Sequence, residues 1–187
     1  LYCDVPKNSE NIVSINPCPP CVVNAPELDY SVGNYIFTVD LPANTNGYSA
    51  AYQTCCRVNP IQNVINSPGV GGTGSTYNCI IPPIIDNSPQ FTTNVSLICQ
   101  HRAFTFDFSA IDNDGDSLVY FFCDAYNGGT AVSSTNINPS PPPYQSVSYI
   151  NPYSGSLPLG TSVTINSKTG IISGIAPDAG KYVVSVC

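Results

Sequence analysis

Short runs in which apolar and polar residues alternate recur along the chain, separated by residues that form turns. The clearest two are 104–108 (FTFDF) and 118–122 (LVYFF), which flank an acidic segment at 112–116 (DNDGD). Alternation with a period of two is typical of a β-strand, and Asn, Asp and Gly between two such runs indicate a turn. This stretch predicts two strands joined by an acidic loop. The phenylalanines of the first run and alternate members of the second are predicted to form a core.

Similar runs predict strands elsewhere in the chain. No segment keeps the 3.6-residue apolar period of a helix for three turns, and the sequence has 14 glycines, 18 prolines and no methionine. The fold class is therefore predicted to be all-β. The further predicted strands lie at 12–15, 30–41, 47–57, 76–81, 94–100, 161–165, 170–173 and 181–187.

A hairpin is predicted around 44–47 (NTNG), because Asn and Gly tolerate the backbone of a tight turn. The incoming strand alternates best near its end, where Tyr35, Phe37 and Val39 face one way. The returning strand, 47–57, is predicted to be its partner.

A proline-rich connector, 82–89, divides the chain into two predicted domains, residues 1–88 and residues 89–187. Its composition and its lack of alternation are typical of a domain boundary. About seven short strands are predicted after it, which is the number typical of an immunoglobulin-like β-sandwich. We predict two tandem β-sandwich domains, of which the first is the less regular.

Charged residues are sparse and mostly acidic. They make up 9% of the chain, with five Lys and Arg and a net charge of -7. The absence of a basic patch argues against nucleic acid as a partner, because phosphate neutralisation supplies most of that affinity. No apolar run approaches the roughly 18 residues that a membrane-spanning helix needs. A surface of Asn, Ser, Thr, Gln and Tyr is common on extracellular β-proteins, so we expect an extracellular or cell-surface location.

Nine cysteines indicate disulfides and an oxidising compartment. A zinc site is less well supported, since the chain has one C-x-x-C pair, Cys18 and Cys21, and one vicinal pair, Cys55 and Cys56. Adjacent residues on a strand point to opposite faces, so Cys55 and Cys56 are predicted to have different partners. One of them is predicted to pair with Cys18 or Cys21.

A second disulfide is predicted between Cys99 and Cys187, because the first and last strands of an immunoglobulin-like domain commonly run side by side. The odd number of cysteines predicts a thiol that is free, bonded to another chain or paired outside this sequence. The chain opens at Leu1 in what resembles the middle of a strand, so a processed protein or a piece of a longer chain is expected.

The acidic loop is a candidate calcium site. It is not an EF-hand, because Gly115 is fourth rather than sixth in the loop. A cadherin-like arrangement is the alternative, with Asp112, Asp114 and Asp116 as ligands and a backbone carbonyl or Asp124 completing the shell. The competing interpretation is a hydrated turn whose aspartates point to water.

Catalysis is poorly supported by the sequence, and no enzymatic activity is predicted. His101 is the only histidine, and no nucleophile motif accompanies it, so a surface histidine is predicted. The aspartates at 112–116 are too local for the paired carboxylates of a glycosidase. Twelve tyrosines could form a surface that stacks on carbohydrate, although alternation places most of them on strand faces.

Motifs in both halves resemble those of one family of bacterial surface proteins. In the second half they are 104–107 (FTFD), 112–120 (DNDGDSLVY), 168–174 (KTGIISG) and 180–184 (GKYVV), which resemble cadherin-like or "putative Ig" modules. In the first half they are 47–48 (GY), 51–57 (AYQTCCR), 63–66 (NVIN) and 74–77 (GSTY), which are similar to a "YQRCCRN … NIxNPG … GxTY" pattern. Thr54 and Cys79 depart from that pattern.

The resemblance is to large secreted Bacteroidetes proteins, often described as gliding-motility-associated and exported by type IX secretion. It implies a non-catalytic structural module of a surface adhesin, stalk or filament, with immunoglobulin-like or cadherin-like domains. Its partners would be other copies of itself, adjacent repeats of the same chain, or surface glycans. The alternative function is a carbohydrate- or protein-binding module of a secreted multidomain protein.

Overall fold

The computed structural model describes residues 5–14, 29–65, 73–91, 97–133 and 136–187. Within these ranges it contains eleven β-strands and no helix, which confirms the all-β prediction. The strands are β1 (Ser9–Ser14), β2 (Asp29–Asn34), β3 (Tyr48–Thr54), β4 (Ser75–Ile81), β5 (Gln90–Phe91), β6 (Ala103–Asp107), β7 (Ala110–Ile111), β8 (Thr130–Ser133), β9 (Asn136–Asn138), β10 (Val163–Ile165) and β11 (Ile171–Ile175).

The strands form small antiparallel sheets. Four sheets have two strands each, pairing β1 with β2, β3 with β4, β5 with β7, and β8 with β9. The fifth has three strands in the order β10, β11, β6. Extended segments outside the named strands add isolated bridges, such as Phe122 to Val186. In the part of the chain described, no helix has the length and apolar character required to cross a membrane.

The hairpin predicted around 44–47 is wrong, although the turn itself forms. The Asn44 side-chain amide donates to the Gly47 carbonyl at 2.9 Å, and Gly47 has a φ of 70°. However, β2 pairs with β1 and ends at Asn34, where its ladder stops. Beyond that point the N–H of Ile36 is satisfied by the Asn8 side chain at 2.6 Å instead of by a partner strand.

The alternation near the end of that predicted strand was therefore misleading. Tyr35, Phe37 and Val39 lie outside β2 and are exposed. Strand β3 pairs with β4, so its partner follows it in the chain rather than preceding it.

The acidic loop joins two segments that do not pair with each other. Strand β6 pairs with β11 instead, with Phe106 opposite Ile172. The second segment pairs with the C-terminal segment. The N–H of Phe121 donates to Cys187 O at 3.0 Å, and the N–H of Cys187 donates to Phe121 O at 2.9 Å. The first predicted strand is confirmed as β6. The second is not, because 118–122 forms no named strand and pairs only through single backbone bonds and the Phe122–Val186 bridge.

The predicted aromatic core forms around β6, β10 and β11. Leu159, Val163 and Ile172 are its buried members. Alternation in 118–122 is also confirmed, because Tyr120 and Phe122 point inward while Val119 and Phe121 are exposed. The partly buried residues packed against this core include Phe104, Phe106, Phe108, Phe122, Tyr182, Val184 and Val186.

A second core contains residues from both sides of the predicted domain boundary. Ile61 and Val64 pack with Ala125 and Val147. The buried Asn63 lies between them in sequence and hydrogen-bonds to the backbone at residues 158 and 183. Residues 61–64 are therefore packed against the second half of the chain, and the division at residue 88 stays a prediction.

Candidate functional site

The acidic loop is organised by one aspartate that caps its own turn. Asp112 Oδ1 accepts hydrogen bonds from three backbone N–H groups, those of Asp114 at 3.2 Å, Gly115 at 3.0 Å and Asp116 at 3.1 Å. Gly115 has a φ of 86°, a conformation that glycine adopts without steric cost. These three bonds tie the backbone of the loop to one of the two carboxylate oxygens of Asp112.

A fourth aspartate, which no sequence motif indicated, completes a cluster at this loop. Carboxylate oxygens of Asp86, Asp114 and Asp116 lie within 4.8 Å of one another, and all three side chains are exposed. The pairing of β5 with β7 brings the segment that contains Asp86 alongside the loop. Because each of those strands has only two residues, alternation in the sequence gave no sign of the pairing.

The carboxylates of this cluster are held in unequal environments. The Asn87 backbone N–H donates to Asp114 Oδ2 at 2.9 Å, and the Asn87 side-chain amide donates to the same oxygen at 3.2 Å. These bonds lower the pKa of Asp114. Partial desolvation raises the pKa of Asp86, and the neighbouring charges of Asp114 and Asp116 raise it further. A cation beside Asp86 would favour its ionised form.

The structure separates the predicted calcium ligands. Asp114 and Asp116 belong to the cluster, whereas Asp112 faces the backbone of its own turn with one oxygen. Asp124 lies elsewhere, packed against Gly155. The cluster can offer oxygen ligands to a hard cation such as calcium, which binds six to eight oxygens and accepts carbonyls and water among them. Calcium binding stays a prediction.

The cysteines pair differently from the prediction. Cys187 is bonded to Cys123, with Cα atoms 5.9 Å apart, so the predicted pairing of Cys187 with Cys99 is wrong. The reason is that the C-terminal segment runs beside residues 121–123, while the segment after Cys99 runs beside Ala176, whose carbonyl accepts from His101 N–H at 3.0 Å. Cys99 is itself disulfide-bonded.

The vicinal cysteines are joined to each other, so the prediction that Cys55 and Cys56 have different partners is wrong. Strand β3 ends at Thr54, and the alternation of strand faces therefore does not extend to them. Cys79 is a free and exposed thiol on β4. The predicted cysteines Cys18 and Cys21 lie outside the described residues.

His101 occupies the surface position that the sequence predicts. Its Nε2 lies 2.7 Å from Asp178 Oδ1, and both side chains are largely exposed. The His101 backbone has a φ of 55°, which belongs to the turn that leads into β6. This pair links two surface loops.

Comparison of the chain with protein-family models, with curated proteins and with solved structures finds no match. The resemblance to secreted Bacteroidetes surface proteins therefore stays a prediction carried by the motifs. A function for the chain has to be inferred from its own geometry.

Proposed function

We propose that this chain is a non-catalytic structural module of an extracellular adhesin, stalk or filament, built from two tandem immunoglobulin-like or cadherin-like domains. The observation that carries the proposal is the Cys123–Cys187 bond, which joins residues 64 positions apart in the sequence. It reinforces two segments that already pair through the backbone at Phe121 and at Cys123, whose N–H donates to Ser185 O at 3.1 Å.

This combination suits a role in bearing load. Backbone hydrogen bonds between antiparallel segments resist separation. The disulfide across the same two segments also prevents the residues between Cys123 and Cys187 from being extended under force. Disulfides persist in oxidising compartments, which supports an extracellular location. The partly buried Phe122 and Val186 pack against the core beneath the pair, so pulling the segments apart would also expose apolar surface.

Calcium is the cofactor we propose, held at the acidic loop by Asp114 and Asp116 with Asp86. Like charges at this spacing repel, and a divalent cation would remove that repulsion. It would also tie the connector before β5 to the loop that follows β7. The bridge would stiffen the region between the two predicted domains.

Location at the cell surface is tested by labelling intact cells that make the protein. An amine-reactive reagent that cannot cross membranes should modify exposed lysines such as Lys168 without prior lysis. We expect equal labelling of intact and lysed cells. Labelling that requires lysis would contradict the proposal, and a cytosolic protein in the same cells serves as the control.

A further inference from the structure

One end of the two-stranded sheet of β3 and β4 is held firmly to the rest of the chain. Thr76 N–H donates to Tyr126 O at 3.2 Å, and its hydroxyl donates to Asn127 O at 2.9 Å. On the neighbouring strand the Gln53 side-chain amide makes two bonds to the Ser140 backbone, at 2.8 Å and 2.7 Å. Both faces of the sheet are exposed beyond this anchored end.

One face of this sheet carries an ordered apolar surface. Tyr52 lies directly opposite Tyr77, with ring centroids 6.3 Å apart and an interplanar angle of 25°. The two side chains are 61% and 63% exposed. The next cross-strand pair on the same face is Ala50 with the free and exposed Cys79. We name these four residues the tyrosine face.

Charge distribution favours contact between copies at this face. The chain has a net charge of -7, so two copies repel over most of their surfaces. From residue 41 to residue 85 the only charged side chain is Arg57. Arg57 lies at the anchored end of the sheet, where its Nη2 donates to Tyr126 O at 3.1 Å. Neither β3, nor β4, nor the chain between them contains an acidic side chain, so this sheet adds no carboxylate repulsion when two copies approach.

We propose that the tyrosine face binds the same face of a second copy in a two-fold symmetric contact. The contact would bury four tyrosine rings and would bring the two Cys79 thiols near the symmetry axis. It would also cover a two-stranded sheet, a structure that is marginal in water without a further layer. The inference rests on the proposed function, because it identifies the surface through which copies of the module associate.

A neutral glycan is the competing occupant, and the polar groups of the sheet argue against it. Gln53 and Thr76 are paired one position along the strands from the tyrosines, so their side chains lie on the opposite face, where both bond to the body of the protein. Ser49 donates to the Asn78 side chain on the opposite face. The tyrosine face therefore supplies stacking area and two phenol hydroxyls, but both amide side chains of the sheet lie on the other face.

Sedimentation velocity over a series of protein concentrations tests the contact. We expect a reversible dimer that survives Cys79→Ser and weakens at least about 30-fold in Tyr52→Asp, as for a hot-spot residue. Tyr77→Asp should behave like Tyr52→Asp. The matched control is Asn78→Asp, which adds the same charge on the opposite face and should dimerise like the parent protein.

A short bis-maleimide gives a second measurement, because each of its double bonds adds one Cys79 thiol and no oxidant is needed. The parent protein should yield a covalent dimer, and Tyr52→Asp should not. A monomer at every concentration would overturn the inference, as would equal loss of the dimer in Asn78→Asp. The face would be assigned to glycans instead if the parent protein is monomeric, is retained on immobilised cellohexaose, and loses that retention in Tyr52→Asp. None of these outcomes changes surface labelling, so this inference can fail while the proposed function stands.

Discussion

The side chain of Asn63 ties the first half of the chain to the second, and its removal should be among the most damaging single substitutions. Its Nδ2 donates to Pro158 O and to Val183 O, both at 2.8 Å. Its Oδ1 accepts from Val183 N–H at 2.9 Å. The residue is fully buried, so water cannot replace these bonds.

The cost of Asn63→Ala can be worked from these three bonds. Each is worth about 0.5–1.5 kcal/mol net, and truncation also removes the partner of a buried carbonyl at 158 and of partly buried backbone groups at 183. We expect a loss of about 3–4 kcal/mol in the free energy of unfolding. For a chain of this length such a loss lowers the melting temperature by roughly 10 °C.

Urea unfolding followed by circular dichroism measures the loss, with Asn78→Ala as the matched control. Asn78 is exposed on β4, and its side chain accepts one hydrogen bond, from Ser49. Its truncation should change the free energy of unfolding by less than about 0.5 kcal/mol. If the free energy of unfolding of Asn63→Ala is within about 1 kcal/mol of that of the parent protein, Asn63 does not connect the two halves in the way described.

Three further results are expected. Replacing Cys123 and Cys187 by serine should lower the free energy of unfolding by about 4 kcal/mol, by the loop-entropy relation for 64 residues, whereas Cys79→Ser should have little effect; equal stabilities would refute the cross-link. Burial raises the pKa of Tyr182 to about 12 from 10.0, so the unfolded chain loses this proton first and the free energy of unfolding should fall between these pH values. The fall should be less steep in Tyr182→Phe, and identical pH dependence in the two proteins would count against that burial. Calcium should raise the melting temperature relative to chelator, and Asp114→Asn should abolish the rise; no rise in the parent protein would remove calcium from the account.

Alternation in the sequence was a good guide to which side chains point inward. It placed the phenylalanines of β6 in the core and distinguished Tyr120 from Phe121. It also located β4, β10 and β11 to within a few residues. These features are local, because the face of each side chain depends only on its position along an extended backbone.

Pairing could not be predicted in the same way, because it depends on contacts between distant residues. The acidic loop looked like the centre of a hairpin, yet its flanks pair with β11 and with the C-terminal segment. The wrong Cys99–Cys187 prediction shares this cause, whereas the prediction for Cys55 and Cys56 failed locally, because β3 ends at Thr54. Asp86 was missed because it belongs to no motif. Asn63 opens the 63–66 motif, but its role was missed, because both residues gain their roles only when a distant segment is brought beside them.

Stretching single molecules tests the central proposal, that the Cys123–Cys187 bond makes this chain a load-bearing module. Tandem copies of the parent protein would be compared with copies in which both cysteines are serine. The bond should shorten each unfolding step by 64 residues, or about 220 Å at roughly 3.5 Å per residue, and should raise the unfolding force. Equal step lengths and equal forces in the two proteins would contradict the proposal.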